Sequence, residues 1–420
     1  MAAAGVEILC DLTAHSVIGP ADAVRQLGRF RRAFDGLLEA ARERTPDIVI
    51  GVDFGAFNLR FQKAITALAQ ERCGPFHNWC PRRVQFVSPQ VWASRARRAR
   101  EMPRILDRML SILPFEKDWY ARNAPGVRVD FVGHPLVDRH GPPPSSRIRA
   151  VGERPHLVLL PGSRAGELRR HWPVVCPAAG KIVQETGARC TLVLPHEAAR
   201  SGLPSGIAWP EGLTLQIGRL SEALADADVA IASTGTVTLE CAWFAVPTVA
   251  LYKTSWSTYQ IGKRIIQVPH LAMPNLLAGK AVMPEFIQEA ATADALAEAA
   301  LRLLTQPVAL AAAREALVRG RLSSIFTARR FSTTGHFLAG VFECLPLGGR
   351  ETGDAVAGDL VEDRIDLAGD EFGIGQRLRA LGDRFGTEGR FEDPTRGRRR
   401  GRARPAHQPP VVPSFGQLIP

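Results

Sequence analysis

Short apolar runs alternate with amphipathic stretches along most of this chain. Apolar runs predict buried strands over 46–53, 83–88, 107–114, 127–133, 156–161, 190–194, 213–217, 228–233 and 248–252. Apolar residues at helical spacing predict helices over 21–44, 59–72, 93–106, 115–123, 171–186, 236–244, 294–304, 308–322 and 325–342. Strands that alternate with helices are typical of a parallel sheet covered by helices on both faces. The pattern therefore predicts an α/β fold.

The chain of 420 residues is long enough for about two or three domains, and its 45% hydrophobic and 23% charged residues are typical of a folded protein. Three consecutive prolines, Pro142–Pro144, predict a linker after which the alternation restarts. We therefore expect one α/β domain over 1–145 and a second over 146–344, with a cleft between them. Residues 345–420 combine acidic, arginine-rich and proline-rich stretches and predict a disordered tail.

Several classes of protein are disfavoured by the sequence. The longest apolar stretch, Cys241–Tyr252, is too short to span a bilayer and contains Pro247. The N-terminus lacks the basic and apolar regions of a secretion signal, and the seven cysteines are scattered, which favours reduced thiols in the cytoplasm. Asp226 and Asp228 match a D-x-D metal pattern, but they lie where a helix ends and a buried strand begins, a place where aspartate is common. No other cluster has ligand spacing, so we expect no metal and no cofactor.

The positive charge is unevenly distributed. The net charge of +11 lies within residues 1–344, because 12 arginines and 12 acidic residues cancel from Leu345 onward. The densest basic region is Arg82–Arg108, with eight arginines against two acidic residues. Such a region fits the phosphates of anionic lipid headgroups or of a phosphorylated substrate, or it is a solvated helix face. Nucleic acid is disfavoured because few aromatic residues are interleaved and no reader motif is present.

Two turns between a strand and a helix carry glycine and hydroxyl residues. The first is Leu159–Arg164, where a glycine permits a tight turn and backbone amides at the helix start can face an anion. The guanidinium group of Arg164 adds a positive charge suited to phosphate oxygens. The second is Ala232–Glu240, where the helix start suits a diphosphate and Glu240 lies about one turn inside the helix, within reach of a ribose. The structural alternatives are a serine that caps the first helix and a buried structural glutamate in the second.

Two further residues are candidates for chemistry. Asp53 follows a predicted parallel strand, where ligands bind in open α/β sheets, and is a candidate general base; alternatively it caps the next helix. His134, within Phe131–Asp138, is a candidate for the hinge of the cleft. The alternative for His134 is a structural histidine whose ring nitrogens are hydrogen bonded inside the fold.

Six short motifs, each modest alone, occur in an order that is specific. They are Val87–Trp92, Leu113–Glu116, Phe131–Pro135, Leu160–Arg164, Ser233–Glu240 and Pro274–Gly279. Together they make the chain resemble the lipid-A-disaccharide synthases, inverting glycosyltransferases of outer-membrane lipid synthesis, over about residues 5–340. The resemblance implies a GT-B fold, in which two Rossmann-like domains face each other across a cleft and act without a metal.

The same resemblance implies substrates and partners. The donor would be UDP-2,3-diacylglucosamine and the acceptor 2,3-diacylglucosamine 1-phosphate, which condense to lipid A disaccharide 1-phosphate plus UDP. The enzyme would lie on the anionic surface of the cytoplasmic membrane as a peripheral protein, and a homodimer that exchanges C-terminal helices is expected. Nucleic acid is not an expected partner.

Residue roles follow from the resemblance motif by motif. Asp53 matches an essential acid, the candidate base for the acceptor 6-hydroxyl, and Arg164 matches an essential arginine near the leaving diphosphate. The diphosphate would be lined by Ser163, Thr234, Gly235 and Thr236. Glu240 would bind the ribose, and Asn275 matches an asparagine close to the donor site.

The chain also departs from the family pattern. Its first strand, glycine-rich loop and helix would precede Met1, so we expect the first sheet to lack a central strand. A family tryptophan is Ser94 here, a second acid after Asp53 is Ala56, and an apolar segment used for membrane docking carries Pro20. Two alternatives therefore stay open: a non-catalytic UDP-binding remnant, and another GT-B enzyme such as a UDP-sugar 2-epimerase-like protein.

Overall fold

The computed structural model describes residues 6–10 and 20–320, except residues 75, 146, 148 and 151. The predicted helix over 325–342 and the predicted tail over 345–420 lie outside the described residues. Within them, the chain forms two units, each organised around a parallel sheet.

The first unit contains the elements up to residue 140. These are helix α1 (Pro20–Arg44), strand β1 (Ile48–Val52), α2 (Gly55–Glu71), the short hairpin strands β2 (Cys73–Gly74) and β3 (His77–Asn78), β4 (Arg82–Phe86), α3 (Val91–Ser94), a 3-10 helix (Ala96–Glu101), α4 (Met102–Ile105), β5 (Arg108–Ser111), α5 (Pro114–Asn123), β6 (Val129–Phe131) and α6 (Leu136–His140). Its main sheet has the order β1-β4-β5-β6, and all pairs are parallel. Among the described residues, β1 is an edge strand; the expectation that a central strand is missing stays a prediction.

The second unit contains the elements from residue 156 onward. These are β7 (His156–Leu160), α7 (Ala165–Thr186), β8 (Arg189–Leu194), a 3-10 helix (Glu197–Gly202), β9 (Leu213–Ile217), α8 (Leu220–Ala225), β10 (Val229–Ser233), α9 (Thr236–Trp243), β11 (Thr248–Tyr252), α10 (Trp256–Ile265), α11 (Met273–Ala278), β12 (Glu285–Ile287), a short 3-10 turn (Gln288–Ala290), α12 (Ala293–Thr305) and α13 (Pro307–Gly320). The strand order is β12-β11-β10-β7-β8-β9. The chain winds in opposite directions from β7 and from β10, so the crevice between these two central strands is a topological switch point.

Strands β7, β10 and β11 of the second sheet are buried on both faces, as a covered parallel sheet requires. Leu157 and Leu159 face a cluster that includes Trp172 of α7, and all three side chains are fully buried. Val158 and Leu160 face the opposite cluster. The near-continuous apolar runs that predicted these strands follow from this double burial.

The predicted fold class, two parallel-sheet Rossmann-like units, is confirmed. One predicted helix is wrong: residues 93–106 form α3, a 3-10 segment and α4 in place of a single helix. Pro103 has no N–H to continue a helix from the preceding turn and stands in the first turn of α4, while Arg95 leaves helical geometry at φ −137°. In addition, α7 begins at Ala165 and not at residue 171.

The two units contact each other, and the segment between them is anchored to the second. The Gln267 N–H, just after α10, donates to the Ala93 carbonyl at 2.8 Å. Arg147 pairs with the fully buried Asp228 at 2.8 Å, and Arg314 of α13 reaches the same carboxylate at 3.3 Å. A buried charge needs such partners, so this ion cluster fixes the start of the second unit.

None of the single helices in the described residues is long and apolar enough to cross a membrane. Helices α12 and α13 pass that test only as a pair bent by 96°. The apolar residues of α12, among them Leu296, Ala300 and Leu303, are buried in the core of the second unit.

Candidate active site

The motifs found in the sequence lie where strands end. In the first unit, Asp53 follows β1, Val87–Trp92 follows β4, and Leu113–Glu116 follows β5. In the second unit, Leu160–Arg164 and Ser233–Glu240 follow the adjacent central strands β7 and β10. Because the strands of each sheet are parallel, their carboxyl ends share one edge, and each unit gathers its motifs along that edge.

The two glycine turns of the second unit lie side by side and share one backbone conformation. Leu160 pairs with Ala232 in the sheet, so the chain leaves both strands at the same level. Gly162 and Gly235 each have a backbone φ of +130°, a value that residues with a Cβ atom rarely adopt. Each glycine leads within a few residues into a helix, α7 or α9, whose first amides point back toward the turn. The structure thus brings two helix N-termini together at the switch point.

The turn that leads into α9 is open. Gly235 is the N-cap residue and makes no side-chain cap bond, and a Cβ placed on it would meet nothing within 4 Å. Thr238 donates from its hydroxyl to the Gly235 carbonyl at 2.6 Å, and the Thr234 N–H donates to the Leu251 carbonyl at 3.0 Å. These bonds hold the turn while leaving space in front of the helix start for an anion.

The turn that leads into α7 holds a carboxylate from its own helix. Glu167 accepts from the Ser163 N–H at 3.2 Å, from the Arg164 N–H at 3.4 Å and from the Arg164 guanidinium at 3.4 Å. Thus the group that caps α7 is Glu167, and not the serine of the structural alternative. Sequence analysis missed Glu167, although an acid at the third helical position is a capping-box signal. The Ser163 and Arg164 N–H groups are therefore engaged by Glu167 in this structure.

A buried histidine ties this turn to the neighbouring strand. His171 Nδ1 lies 2.6 Å from the Pro161 carbonyl oxygen, and its Nε2 accepts from the Lys253 N–H at 2.9 Å. Because a carbonyl only accepts and an N–H only donates, the ring is neutral with its hydrogen on Nδ1. Burial, the main cause, lowers the pKa of His171. This residue was also missed, since its two partners are distant in sequence.

Glu240 lies inside α9 as predicted, and it faces the end of the first unit. Its carboxylate is 3.4 Å from His140 Nε2, and His140 Nδ1 is 3.2 Å from the Ser221 hydroxyl. Burial raises the pKa of Glu240 against the effect of Arg139, and burial together with Arg139 lowers the pKa of His140. A ribose at Glu240 would therefore lie next to His140, a residue that sequence analysis did not single out.

Asp53 stands on a strained backbone at the end of β1. Asp53 and Phe54 have φ values of +48° and +38°, which non-glycine residues rarely adopt. The N-cap residue of α2 is Phe54, so Asp53 does not hold the capping position of the structural alternative. Burial raises the pKa of Asp53, while a hydrogen bond from the Phe54 N–H lowers it. A carboxylate with a raised pKa on a strained strand end is typical of functional sites.

Two buried amides hold the Asp53 backbone in place. The Asp53 carbonyl accepts from Asn58 Nδ2 at 2.7 Å and from Gln85 Nε2 at 3.0 Å. A Cβ on Gly51 would lie 2.6 Å from the Gln85 amide oxygen and 2.9 Å from the Asn58 Cβ, so glycine is required for this packing. The strained conformation is therefore fixed by neighbouring side chains and is not a free loop.

A buried carboxylate joins two of the motifs. Glu116 accepts from the Ser88 hydroxyl at 2.5 Å, from Trp92 Nε1 at 3.0 Å and from the Leu113 N–H at 3.1 Å. Burial raises the pKa of Glu116 to about 7, although these donors favour the ionised form. Glu116 thus fixes the loop after β4 beside Asp53, since β4 pairs with β1.

The remaining predicted residues have internal partners. His134 is buried, its Nδ1 accepts from the Leu136 N–H at 3.2 Å, and burial lowers its pKa to about 4. Asn275 is fully buried: its amide donates to the Met283 carbonyl at 2.7 Å and to Glu285, and its oxygen accepts two backbone N–H groups. The geometry of His134 matches the structural alternative, and both polar atoms of the Asn275 side chain already have partners inside the fold.

Residues 6–10 and 20–320, with the gaps given above, contain no group of three or more His, Cys, Asp or Glu residues that could hold a metal ion.

Two Rossmann-like units with loops gathered at the carboxyl ends of parallel strands define a two-domain α/β protein. A family model described as lipid-A-disaccharide synthetase matches residues 1–324. A lipid-A-disaccharide synthase of Myxococcus xanthus is 35% identical over 362 residues, which cover 83% of this chain and 88% of the relative. One of Geobacter sulfurreducens is 36% identical over 319 residues, 73% of this chain and 78% of the relative. The chain belongs to the lipid-A-disaccharide synthase family.

Solved structures resemble the chain more distantly. A kitacinnamycin glycosyltransferase matches with a TM-score of 0.45 at 16% identity, covering 75% of this chain and 83% of the other. A UDP-GlcNAc 2-epimerase from Neisseria meningitidis bound to UDP-GlcNAc matches with a TM-score of 0.44 at 11% identity, covering 73% and 84%. The family of the chain is shown by its sequence matches to the synthases.

Proposed function

We propose that the chain transfers the sugar of UDP-2,3-diacylglucosamine to 2,3-diacylglucosamine 1-phosphate, forming lipid A disaccharide 1-phosphate and UDP. Family membership supports the reaction. The observation that carries the site is the pair of glycine turns at the switch point, Gly162 and Gly235, with the same backbone conformation at adjacent helix starts. Two helix N-termini side by side suit the two phosphates of a nucleotide sugar.

The donor is held mainly by the second unit. The diphosphate lies against the two turns and is lined by Ser163, Thr234, Gly235 and Thr236. Glu240 accepts hydrogen bonds from the ribose hydroxyls, with His140 beside it at 3.4 Å. Asn275 acts through the loop it anchors and does not touch the donor, because its polar atoms are already bonded.

The reaction is a single in-line displacement. Asp53 takes the proton of the acceptor 6-hydroxyl as its oxygen attacks the anomeric carbon from the face opposite UDP. The bond between that carbon and the diphosphate oxygen breaks, and UDP leaves with the electron pair. Arg164 and the helix-start amides stabilise the charge that develops on the leaving group. The raised pKa of Asp53 brings its basicity closer to what proton abstraction requires.

The same proposal places the chain on the anionic cytoplasmic face of the membrane. Its proposed substrates carry acyl chains and belong to a lipid phase, so the enzyme must reach them there. A homodimer is part of the proposal by analogy with the family.

Turnover and UDP binding test the proposal separately. With both acylated sugars supplied in detergent, Arg164→Ala should abolish UDP release, while Arg169→Ala, an exposed arginine on the same helix, should not. Asp53→Asn should lower kcat far more than it weakens UDP binding measured by calorimetry. Binding of UDP without turnover by the unaltered chain would indicate a non-catalytic remnant, and turnover of water-soluble UDP-N-acetylglucosamine would indicate an epimerase-like enzyme.

A further inference from the structure

Helix α10 (Trp256–Ile265) is amphipathic and has none of its residues buried. Trp256 is 72% exposed and Ile261 is 61% exposed, and Ile265 and Ile266 are exposed as well. The helix is nonetheless well defined, because the Ser255 hydroxyl caps it by accepting from the Thr258 N–H at 3.3 Å. A capped helix that presents large apolar side chains outward is typical of an interaction surface.

The surroundings of α10 are strongly basic. Lys263 and Arg264 lie exposed in its last turn, and residues 255–267 contain no acid. The Gln267 N–H bonds to the Ala93 carbonyl, which brings α10 next to the start of the 3-10 helix of the first unit. There the exposed arginines are Arg95, Arg97, Arg98 and Arg100. The nearby acid, Glu101, is 3.7 Å from Lys63, so it does not offset this charge.

We propose that α10 and the 95–100 segment form one surface, here called the α10 surface, that binds a bilayer containing anionic phospholipid. Exposed tryptophan and isoleucine insert at the boundary between headgroups and acyl chains, while lysine and arginine contact the lipid phosphates. An acidic protein partner would account for the six cations but not for the exposed apolar residues. A second copy of this chain would present the same positive charge and be repelled.

The position of the α10 surface also fits this partner. Helix α10 follows β11, which neighbours β10, and the 95–100 segment follows the loop after β4. Both parts therefore leave the carboxyl edges of the sheets, where the candidate active site lies. This inference rests on the proposed function, since it gives lipid-linked sugars a path from the bilayer to the groups that react.

Vesicle co-sedimentation of the full chain tests the α10 surface. The probes are vesicles of phosphatidylcholine alone and of phosphatidylcholine mixed with phosphatidylglycerol. The double variant Ile261→Ser, Ile265→Ser should lower partitioning into the mixed vesicles about tenfold or more. Val308→Ser removes an apolar residue that is 84% exposed on another helix and should have no effect.

Charge variants test the second half of the surface. Arg97→Gln and Arg98→Gln should each weaken partitioning about fivefold on mixed vesicles and little on phosphatidylcholine alone. Arg169→Gln, an exposed arginine of α7, is the matched control. Unchanged partitioning of the isoleucine and arginine variants would overturn the proposal. A second result would also overturn the proposal: surface variants that lose self-association in analytical ultracentrifugation but still bind vesicles. Such a result would identify a second copy of the chain as the occupant of the α10 surface.

Failure of this proposal can be told apart from failure of the proposed function. UDP release from detergent-dispersed substrates and UDP binding should be unchanged in every surface variant. If the unaltered chain shows no turnover but the variants lose vesicle binding, the surface stands and the reaction does not. If the unaltered chain turns over normally and the surface variants bind vesicles as well as the unaltered chain does, the α10 surface is refuted and the proposed reaction is not.

Discussion

His134 provides a direct test of whether a predicted cleft residue is structural. Its Nδ1 accepts from the Leu136 N–H at 3.2 Å, and burial lowers its pKa to about 4, from an ordinary value of about 6.5. Between these two values the unfolded chain binds a proton that the folded chain does not. Stability therefore falls as the pH drops below about 6.5 and stops falling below about 4.

The size of the effect follows from the same two values. A difference of about 2.5 pH units, at 1.36 kcal/mol per unit, corresponds to about 3 kcal/mol once the pH is below both pKa values. At pH 5 the loss attributable to His134 is about 2 kcal/mol relative to neutral pH. This is a large share of the stability of an ordinary domain.

The matched variant is His134→Asn. Its side-chain oxygen can accept from the Leu136 N–H but does not titrate, so the helix start keeps its partner. Urea unfolding between pH 5 and 8 should show a smaller loss of stability toward acid in the variant, by about 2 kcal/mol at pH 5. Other buried histidines contribute equally to both proteins and cancel in the difference. Equal pH dependence in the two proteins, or a large loss of turnover in the variant at neutral pH, would refute the structural role.

Three further predictions concern other parts of the structure. Asp228→Ala should lower the free energy of unfolding by about 3–5 kcal/mol, measured by urea denaturation, because Arg147 and Arg314, whose side chains are only 14% and 15% exposed, lose the carboxylate that they share. Asn58→Ala should lower kcat with little change in UDP affinity, because the Asp53 carbonyl loses one of its two amide donors; equal changes in both would contradict a positioning role. Gly235→Ala should cost about 1–3 kcal/mol in backbone strain and weaken UDP binding in calorimetry, whereas Gly126→Ala, also at positive φ but in another turn, should lower stability alone.

Local pattern was sufficient to predict most of the fold. The predicted strands 213–217 and 248–252 coincide with β9 and β11, because short apolar runs bounded by polar or proline residues leave little freedom in placing a strand. The predicted helix over 93–106 is wrong because its apolar spacing is helical, while Pro103 lacks an N–H and the backbone leaves helical geometry at Arg95. The spacing of apolar residues indicates which face of a helix is buried, but it does not indicate whether the helix is continuous.

The candidate site was predictable only where a residue follows a strand. Asp53 and Arg164 were found because the carboxyl end of a parallel strand is identifiable from sequence. Glu167, Gln85 and His171 were not, because their roles depend on which elements the fold brings together. His171, for example, bonds to backbone groups ten residues before it and 82 residues after it. No local pattern encodes such a pairing, which arises from the register of β7 and β11 on either side of β10.

The division of groups between the two units bears on how the proposed reaction is controlled. The proposed base, Asp53, is fixed in the first unit by buried amides. Both glycine turns of the second unit follow adjacent central strands, β7 and β10, that are buried on both faces. Neither unit can bring base and leaving group together alone, so their separation depends on the contacts between the units. Those contacts include the Gln267–Ala93 bond beside α10 and the His140–Glu240 pair beside the proposed ribose position. The proposed donor binding at Glu240 and the proposed lipid contact at α10 would therefore both act on the junction that sets the distance between the proposed reacting groups.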